Sequence, residues 1–216
     1  MIISLAEEKD ILSIAKIHKD EISKGFLSSL DISFLKRFYR ALIKSKSSFC
    51  VVAKENSEVV GFIAGVSNMN TFYAYFLLHY FFQSFFILLP KIFSSMKKIL
   101  ESLLYPVRNS PPHRPFGRVS AGGVSNGVDP KKEQSLPKAE LLTIAVTKEF
   151  QGKGVGSLML PVFIAEIKKR NINIFKVVVG EKLRPAIKFY EKNNFMFVKN
   201  ITIHSNALSR VYVYKI

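Results

Sequence analysis

Gln151-Gly152-Lys153-Gly154-Val155-Gly156 sits between two stretches of different periodicity. Before it, Leu141-Leu142-Thr143-Ile144-Ala145-Val146 is a short apolar run of β type. After it, Ser157 to Arg170 carries Leu158, Leu160, Phe163, Ile164 and Ile167 at helical spacing and ends in Lys168-Lys169-Arg170. Strand, glycine turn and helix in that order place the turn at a helix N-terminus. Unpaired backbone N–H groups and the positive end of the helix dipole make such a terminus an anion site. Glycines at 152, 154 and 156 leave no Cβ to hold a phosphate away from those amides. A ligand bearing a diphosphate is the physical implication.

The pattern narrows which diphosphate. A Walker loop needs Ser or Thr after Gly-Lys, and here Lys153 is followed by Gly154. A dinucleotide fingerprint needs Gly-x-Gly-x-x-Gly with an acid some 20 residues on. The third glycine position is Ser157, and no acid lies around Lys176. The stretch resembles instead the Gln/Arg-x-x-Gly-x-Gly/Ala loop of the GNAT superfamily of N-acetyltransferases, which holds the pyrophosphate of coenzyme A.

At 216 residues and 24.5 kDa the chain suits one domain with a sizeable core. Lys and Arg number 32 against 16 Asp and Glu, a net charge of +16. This charge suits cofactor phosphates, nucleic acid or an anionic membrane surface, or is simply a basic surface, since the lysines are scattered. A single Cys50 leaves no internal disulfide and points to a reducing compartment. Met1-Ile2-Ile3-Ser4-Leu5 lacks the pattern of a signal peptide, so a cytoplasmic location is expected.

Residues 2–5 read as a strand. Ile11, Ile14, Ala15, Ile17 and Ile22 mark a first amphipathic helix, and Phe34, Leu35, Phe38 and Leu42 a second after the cap-like Asp31. Phe49–Ala53 and Val59–Ala64 form a hairpin across Glu55-Asn56-Ser57-Glu58. From Val59 to Pro90 there is no Lys, Arg, Asp or Glu, and residues 72–89 are dense in Phe and Tyr. Length and apolarity make this a membrane-span candidate. Topology argues against it, because strands at 59–64 and 141–146 must meet in one sheet. The expectation is a helical pair, about 72–88 and 91–104, inserted in the domain; weak contact of 72–105 with a membrane surface is the alternative. Residues 106–138 hold six of the nine prolines and four of the eleven glycines and read as a disordered insertion. Arg108, Arg114 and Arg118 there form either a basic arm or part of an inert segment.

Beyond the loop, Phe175–Val179 is a strand, and Arg184 to Lys192 a helix with Pro185 in its first turn. The helix stops at Asn193-Asn194, since Asn tolerates the left-handed conformation. Phe195–Val198 and Val211–Tyr214 close the sheet. The run Ala186-x-x-Phe189-Tyr190-Glu191-x-x-x-Phe195 resembles the second half of the GNAT signature. It departs from that signature at Leu183, where the family has Asn, and at Asn194, where it has Gly.

The resemblance implies an α/β (α+β) fold of the acyl-CoA N-acyltransferase type. It has a mixed, mostly antiparallel sheet of about seven strands flanked by helices, with residues 139–200 as the acetyl-CoA-binding core of a single domain. It further implies direct transfer of an acetyl group from acetyl-CoA to an amine acceptor. Backbone groups of Ile144, Ala145 and Val146 would hold the pantetheine arm. Gln151, Gly152, Lys153, Gly154, Val155, Gly156 and Ser157 would hold the pyrophosphate. Tyr190 would be the acid that protonates the leaving thiolate. Glu140 and Glu181 are the carboxylates placed to take the amine proton; each is equally a solvated charge. His79 and His204 are weaker candidates, and Cys50 reads as core. No Cys/His cluster suggests a metal, and no nucleic-acid motif is present. A non-catalytic module binding CoA or a partner is the competing class, and Leu183 is the residue that argues for it. Oligomeric state and the acceptor's identity lie outside what these residues specify.

Overall fold

The computed structural model describes residues 1–22, 27–80, 136–204 and 207–216, apart from the side chains of 203, 204 and 207. In chain order the elements are β1 (Ile2–Leu5), α1 (Ile11–Glu21), α2 (Ile32–Lys44), β2 (Ser48–Glu55), β3 (Glu58–Val66), helical residues 69–80 (α3), β4 (Glu140–Val146), α4 (Val155–Lys169), β5 (Ile174–Gly180), α5 (Arg184–Lys192), β6 (Met196–His204) and β7 (Ala207–Lys215). The expected mixed, mostly antiparallel sheet is present. Its seven strands run in the order β1-β2-β3-β4-β5-β7-β6, and β4 with β5 is the parallel neighbour pair.

Strand alternation divides the core in two. Cys50 and Val52 of β2 and Phe62, Ala64 and Val66 of β3 face α1, α2 and α3, where they meet Leu35, Phe38, Tyr39, Phe72 and Phe76. Phe49, Val51 and Ala53 of β2, Ile63 of β3 and Phe175, Val177 and Val179 of β5 face α4 and α5. Each buried Val, Ile, Leu or Phe among these contributes about 1.5–3 kcal/mol. Helix α2 starts where the Asp31 carboxylate accepts the Ser33 N–H at 2.7 Å, as its sequence predicts. Asn194 takes φ 63° just past α5, the left-handed conformation expected of it.

Several expectations shift. Helix α4 begins at Val155 rather than Ser157, and buries Val155, Met159, Leu160, Phe163 and Ile167. Leu158, placed on its apolar stripe from the sequence, is 52% exposed. The helix is apolar almost all round, so periodicity alone selects no face. The final hairpin is longer than the runs 195–198 and 211–214. Of the inserted helical pair, only 72–80 falls within the described residues, inside α3; the rest of 72–105, and 106–135, lie outside them. The end of the Pro/Gly-rich stretch is anchored: Pro137 is half-buried and its carbonyl accepts the Lys176 ammonium at 2.6 Å. Among the described residues no helix is long and apolar enough to cross a membrane.

Two features place the site. Strand β4 carries a bulge: Ala64 pairs with Thr143 and Gly65 with Leu141, leaving Leu142 as the extra residue. Opposite that bulge the fully buried Phe163 ring of α4 lies against Gly65, wedged between Phe49 and Phe175 with ring centroids at 5.0 and 5.4 Å. A Cβ on Gly65 would fall 2.5 Å from this ring, and the ring has nowhere to go. Gly65→Ala is therefore expected to cost about 1–3 kcal/mol by overpacking, read as a lower urea midpoint with an unchanged m-value.

Candidate functional site

The parallel pairing of β4 with β5 covers two positions, Glu140 with Lys176 and Leu141 with Val177, although each strand is seven residues long. Pairing stops at the bulge residue Leu142, where β4 bends. Strand β5 meanwhile stays in register with β7 from Ile174 to Gly180. The two strands therefore separate into a wedge closed at Glu140–Leu141 and open towards the glycine turn.

The polarity of the wedge wall follows from the register. Thr147 N–H donates to Val60 O at 2.9 Å, so the odd-numbered residues 143 to 147 turn their backbone groups towards β3. Ile144 and Val146 turn theirs into the wedge. Val146 O accepts from the Gln151 side chain, which leaves Val146 N–H and both groups of Ile144 unpaired among the described residues. Across the gap, Lys176 N–H donates to Ala139 O at 3.0 Å, so Val178, two residues on, also presents its backbone to the wedge.

At the open end, Gly154 caps α4 with φ 82° and Gly152 has φ 74°. A Cβ on either would meet open space, so φ rather than crowding selects glycine at both. The N–H groups of Val155, Gly156 and Ser157 in the first turn have no intrahelical acceptor, and the first helical bond runs from Leu158 N–H to Gly154 O. Gln151 behaves differently. Its side-chain amide donates to Glu21 at 2.8 Å and to Val146 O at 2.9 Å, and its backbone N–H donates to Thr147 O. All its N–H donors are used within the fold. Glu21, the last residue of α1, also accepts the Lys148 N–H at 3.0 Å, so this carboxylate pins the turn from both ends. Lys153 lies over the Phe150 ring at 5.2 Å.

At the closed end, Glu140 and Lys176 are 8% and 9% exposed and form an ion pair at 3.1 Å. Burial lifts the Glu140 pKa above its ordinary value, and the Lys176 ammonium pulls against that rise. Tyr73 of α3 is pushed up to about 12, first by burial and then by the Glu140 charge. Glu181 stands apart. It follows β5 at the open end, five residues beyond Lys176, or roughly 16 Å at strand rise, and pairs with Arg210 at 3.8 Å.

Tyr190 is buried against Phe195, Phe189 and Tyr212, and burial pushes its pKa well up. Its neighbour Phe189 reaches the α4 N-terminus, lying 3.0 Å from where a Cβ on Gly156 would be. Leu183 caps α5 without a side-chain hydrogen bond and is 45% exposed. His79 is exposed and stacked on Tyr75 at 4.1 Å, and the side chain of His204 lies outside the described residues. Cys50 is buried, its thiol pKa raised by burial. No group of three or more His, Cys, Asp or Glu able to hold a metal occurs among the described residues.

Sequence reading did not single out Lys176 or Glu21. Lys176 carried a signal, as the one charge in the run Phe175–Val179. Glu21 carried none, because its partner Gln151 is 130 residues away.

Residues 117–196 match the family model described as acetyltransferase (GNAT) domain, a match that begins inside the Pro/Gly-rich stretch. No curated protein matches the sequence. Among solved structures, the ribosomal-protein-alanine N-acetyltransferase of Brucella melitensis is similar at 13% identity and TM-score 0.58, over 100% of both chains. Ard1 of Thermoplasma volcanium is similar at 16% and 0.57, over 100% of this chain and 97% of that one. The yncA protein of Salmonella typhimurium, solved with its cofactor acetyl-CoA, is similar at 12% and 0.56, over 99% and 92%. At these identities the structures establish the fold, and residues 117–196 carry the similarity to the GNAT acetyltransferase domain.

Proposed function

We propose that the chain is an N-acetyltransferase that moves the acetyl group of acetyl-CoA directly to a primary amine. The observation that carries this reading is the wedge: a slot of unpaired strand backbone leading from a dry carboxylate to a helix N-terminus free to bind a diphosphate. The free groups of Ile144 and Val146 suit the amides of a pantetheine arm, as an added strand would. The amides of Gly152 and of 154 to 157 suit the pyrophosphate, while the Lys153 N–H is turned to Phe150 O at 3.4 Å. Gln151 fixes the loop rather than donating to phosphate, because its donors are spent on Glu21, Val146 and Thr147.

Glu140 is the base that fits this arrangement better than Glu181. It lies at the closed end of the slot, and burial keeps its pKa raised, which brings it nearer the working pH of a base. The amine lone pair attacks the thioester carbonyl, the tetrahedral adduct collapses with loss of the CoA thiolate, and the proton of the new ammonium passes to Glu140. Tyr190 supplies the proton taken up by the thiolate. Its raised pKa keeps that proton on the phenol until the thiolate appears. The acceptor is an amine of a small molecule, an amino sugar or a protein. The second reading, a non-catalytic CoA-binding module, is favoured by Leu183, which offers no polar group where the family has Asn.

Calorimetric titration with acetyl-CoA tests the donor site. Saturable binding is expected, weakened at least tenfold in Gly154→Glu, where a carboxylate on a φ of 82° would face the phosphates. No binding at millimolar acetyl-CoA would refute both readings. In an amine screen by thiol release, Tyr190→Phe is expected to lower kcat by about 10²-fold or more, and binding without turnover across the screen would select the module. Glu21→Ala should speed amide hydrogen exchange at Lys148 while changing global stability by less than about 1 kcal/mol; unchanged exchange would show that the carboxylate does not hold the turn.

A further inference from the structure

The residue facing Glu140 across the first of the two parallel pairs is a buried cation. Glu140 and Lys176 are register partners on one face of the sheet, at the point where β4 and β5 still touch. The Lys176 Nζ is held by two acceptors, Pro137 O at 2.6 Å and Glu140 Oε2 at 3.1 Å. The first of these is a backbone carbonyl at the entry to β4, so the ammonium keeps its place whether or not Glu140 carries charge. We propose that Lys176 is the positioning residue that keeps Glu140 ionised and oriented at neutral pH. This inference rests on the reading of Glu140 as the base.

A carboxylate this deeply buried loses its hydration and favours the protonated, inactive form unless an opposite charge is near. Among the described residues, two groups face it. Tyr73 of α3 offers a hydroxyl that stays neutral, its pKa pushed up to about 12. Lys176 of β5 offers the full charge. During transfer Glu140 gains the proton of the acceptor ammonium and passes it to solvent as product leaves. Lys176 exchanges no proton in this cycle. It lowers the energy of the state in which Glu140 is ready to accept one.

The test follows the Glu140 carboxyl carbon by NMR against pH in the wild type, Lys176→Met, Lys176→Gln and Lys176→Arg, with Glu140→Gln to assign the signal. The Met and Gln variants are expected to raise the midpoint by about 1–3 in pH, the range for loss of an adjacent opposite charge, and Arg to leave it near wild type. The acid limb of kcat/KM should rise with it, so that the rate lost at pH 7 returns towards pH 9. Midpoints unchanged in both neutral variants would overturn the role of Lys176. A wild-type transfer rate in Glu140→Gln would instead overturn the base reading, whatever the titration does. If Lys176→Met unfolds at pH 7, adding Glu140→Gln should restore folding, because the uncompensated buried charge is gone; a double variant no more stable than the single would also overturn the proposal.

Discussion

Parallel pairing between β4 and β5 stops after two residues, and the architecture of the site depends on that stop. A parallel sheet that kept its register would leave no free backbone at its centre. The extra residue at Leu142 turns β4 away while β7 keeps β5 straight along its whole length. The separation exposes main-chain donors and acceptors without breaking the sheet, since the pairing with β3 continues to Val146. The Phe163 ring packed on Gly65 holds the bulge from the other face. Packing of α4 and opening of the wedge are thus one feature seen from two sides.

The wedge has a polar gradient along its length. Its closed end is dry and holds one carboxylate and one ammonium. Its open end is a helix N-terminus bordered by glycines with positive φ and by space. A long ligand with an anionic tail and a reactive head fits such a slot in one direction only. The turn at the open end does not rely on its glycines for order. Glu21 reaches it from α1 and ties Lys148 and Gln151 to the first half of the chain. A carboxylate beside the proposed phosphate site opposes binding electrostatically, so we read Glu21 as a geometric constraint.

Much of this was legible in the residues, and the limits have physical causes. The strand at 2–5 and the helix from Arg184 to Lys192 are local, each set by a few neighbours, and each is where its sequence puts it; the glycine turn is local too, but it ends at Gly154, two residues early. The face of α4 was not legible, because a helix apolar on most sides hides its orientation; Leu158 is exposed while Met159 is buried. The bulge was not legible either, since five of the six residues from Leu141 to Val146 are apolar and any of them could be the extra one. Partnerships across the fold were invisible for a different reason. Glu140 could be named from its place before a strand, but its pairing with Lys176 depends on two strands meeting in a register that only the assembled sheet defines.

The central claim is that the exposed edge of β4 receives an extended, amide-bearing ligand. Amide-resolved hydrogen exchange with and without acetyl-CoA tests it most directly, because alternate residues of one strand give opposite answers. The account predicts strong new protection at Ile144 and Val146, whose N–H groups face the wedge, and little change at Ala145, already bonded to β3. Binding that leaves Ile144 and Val146 exchanging as in the free protein would place the ligand elsewhere and contradict the account.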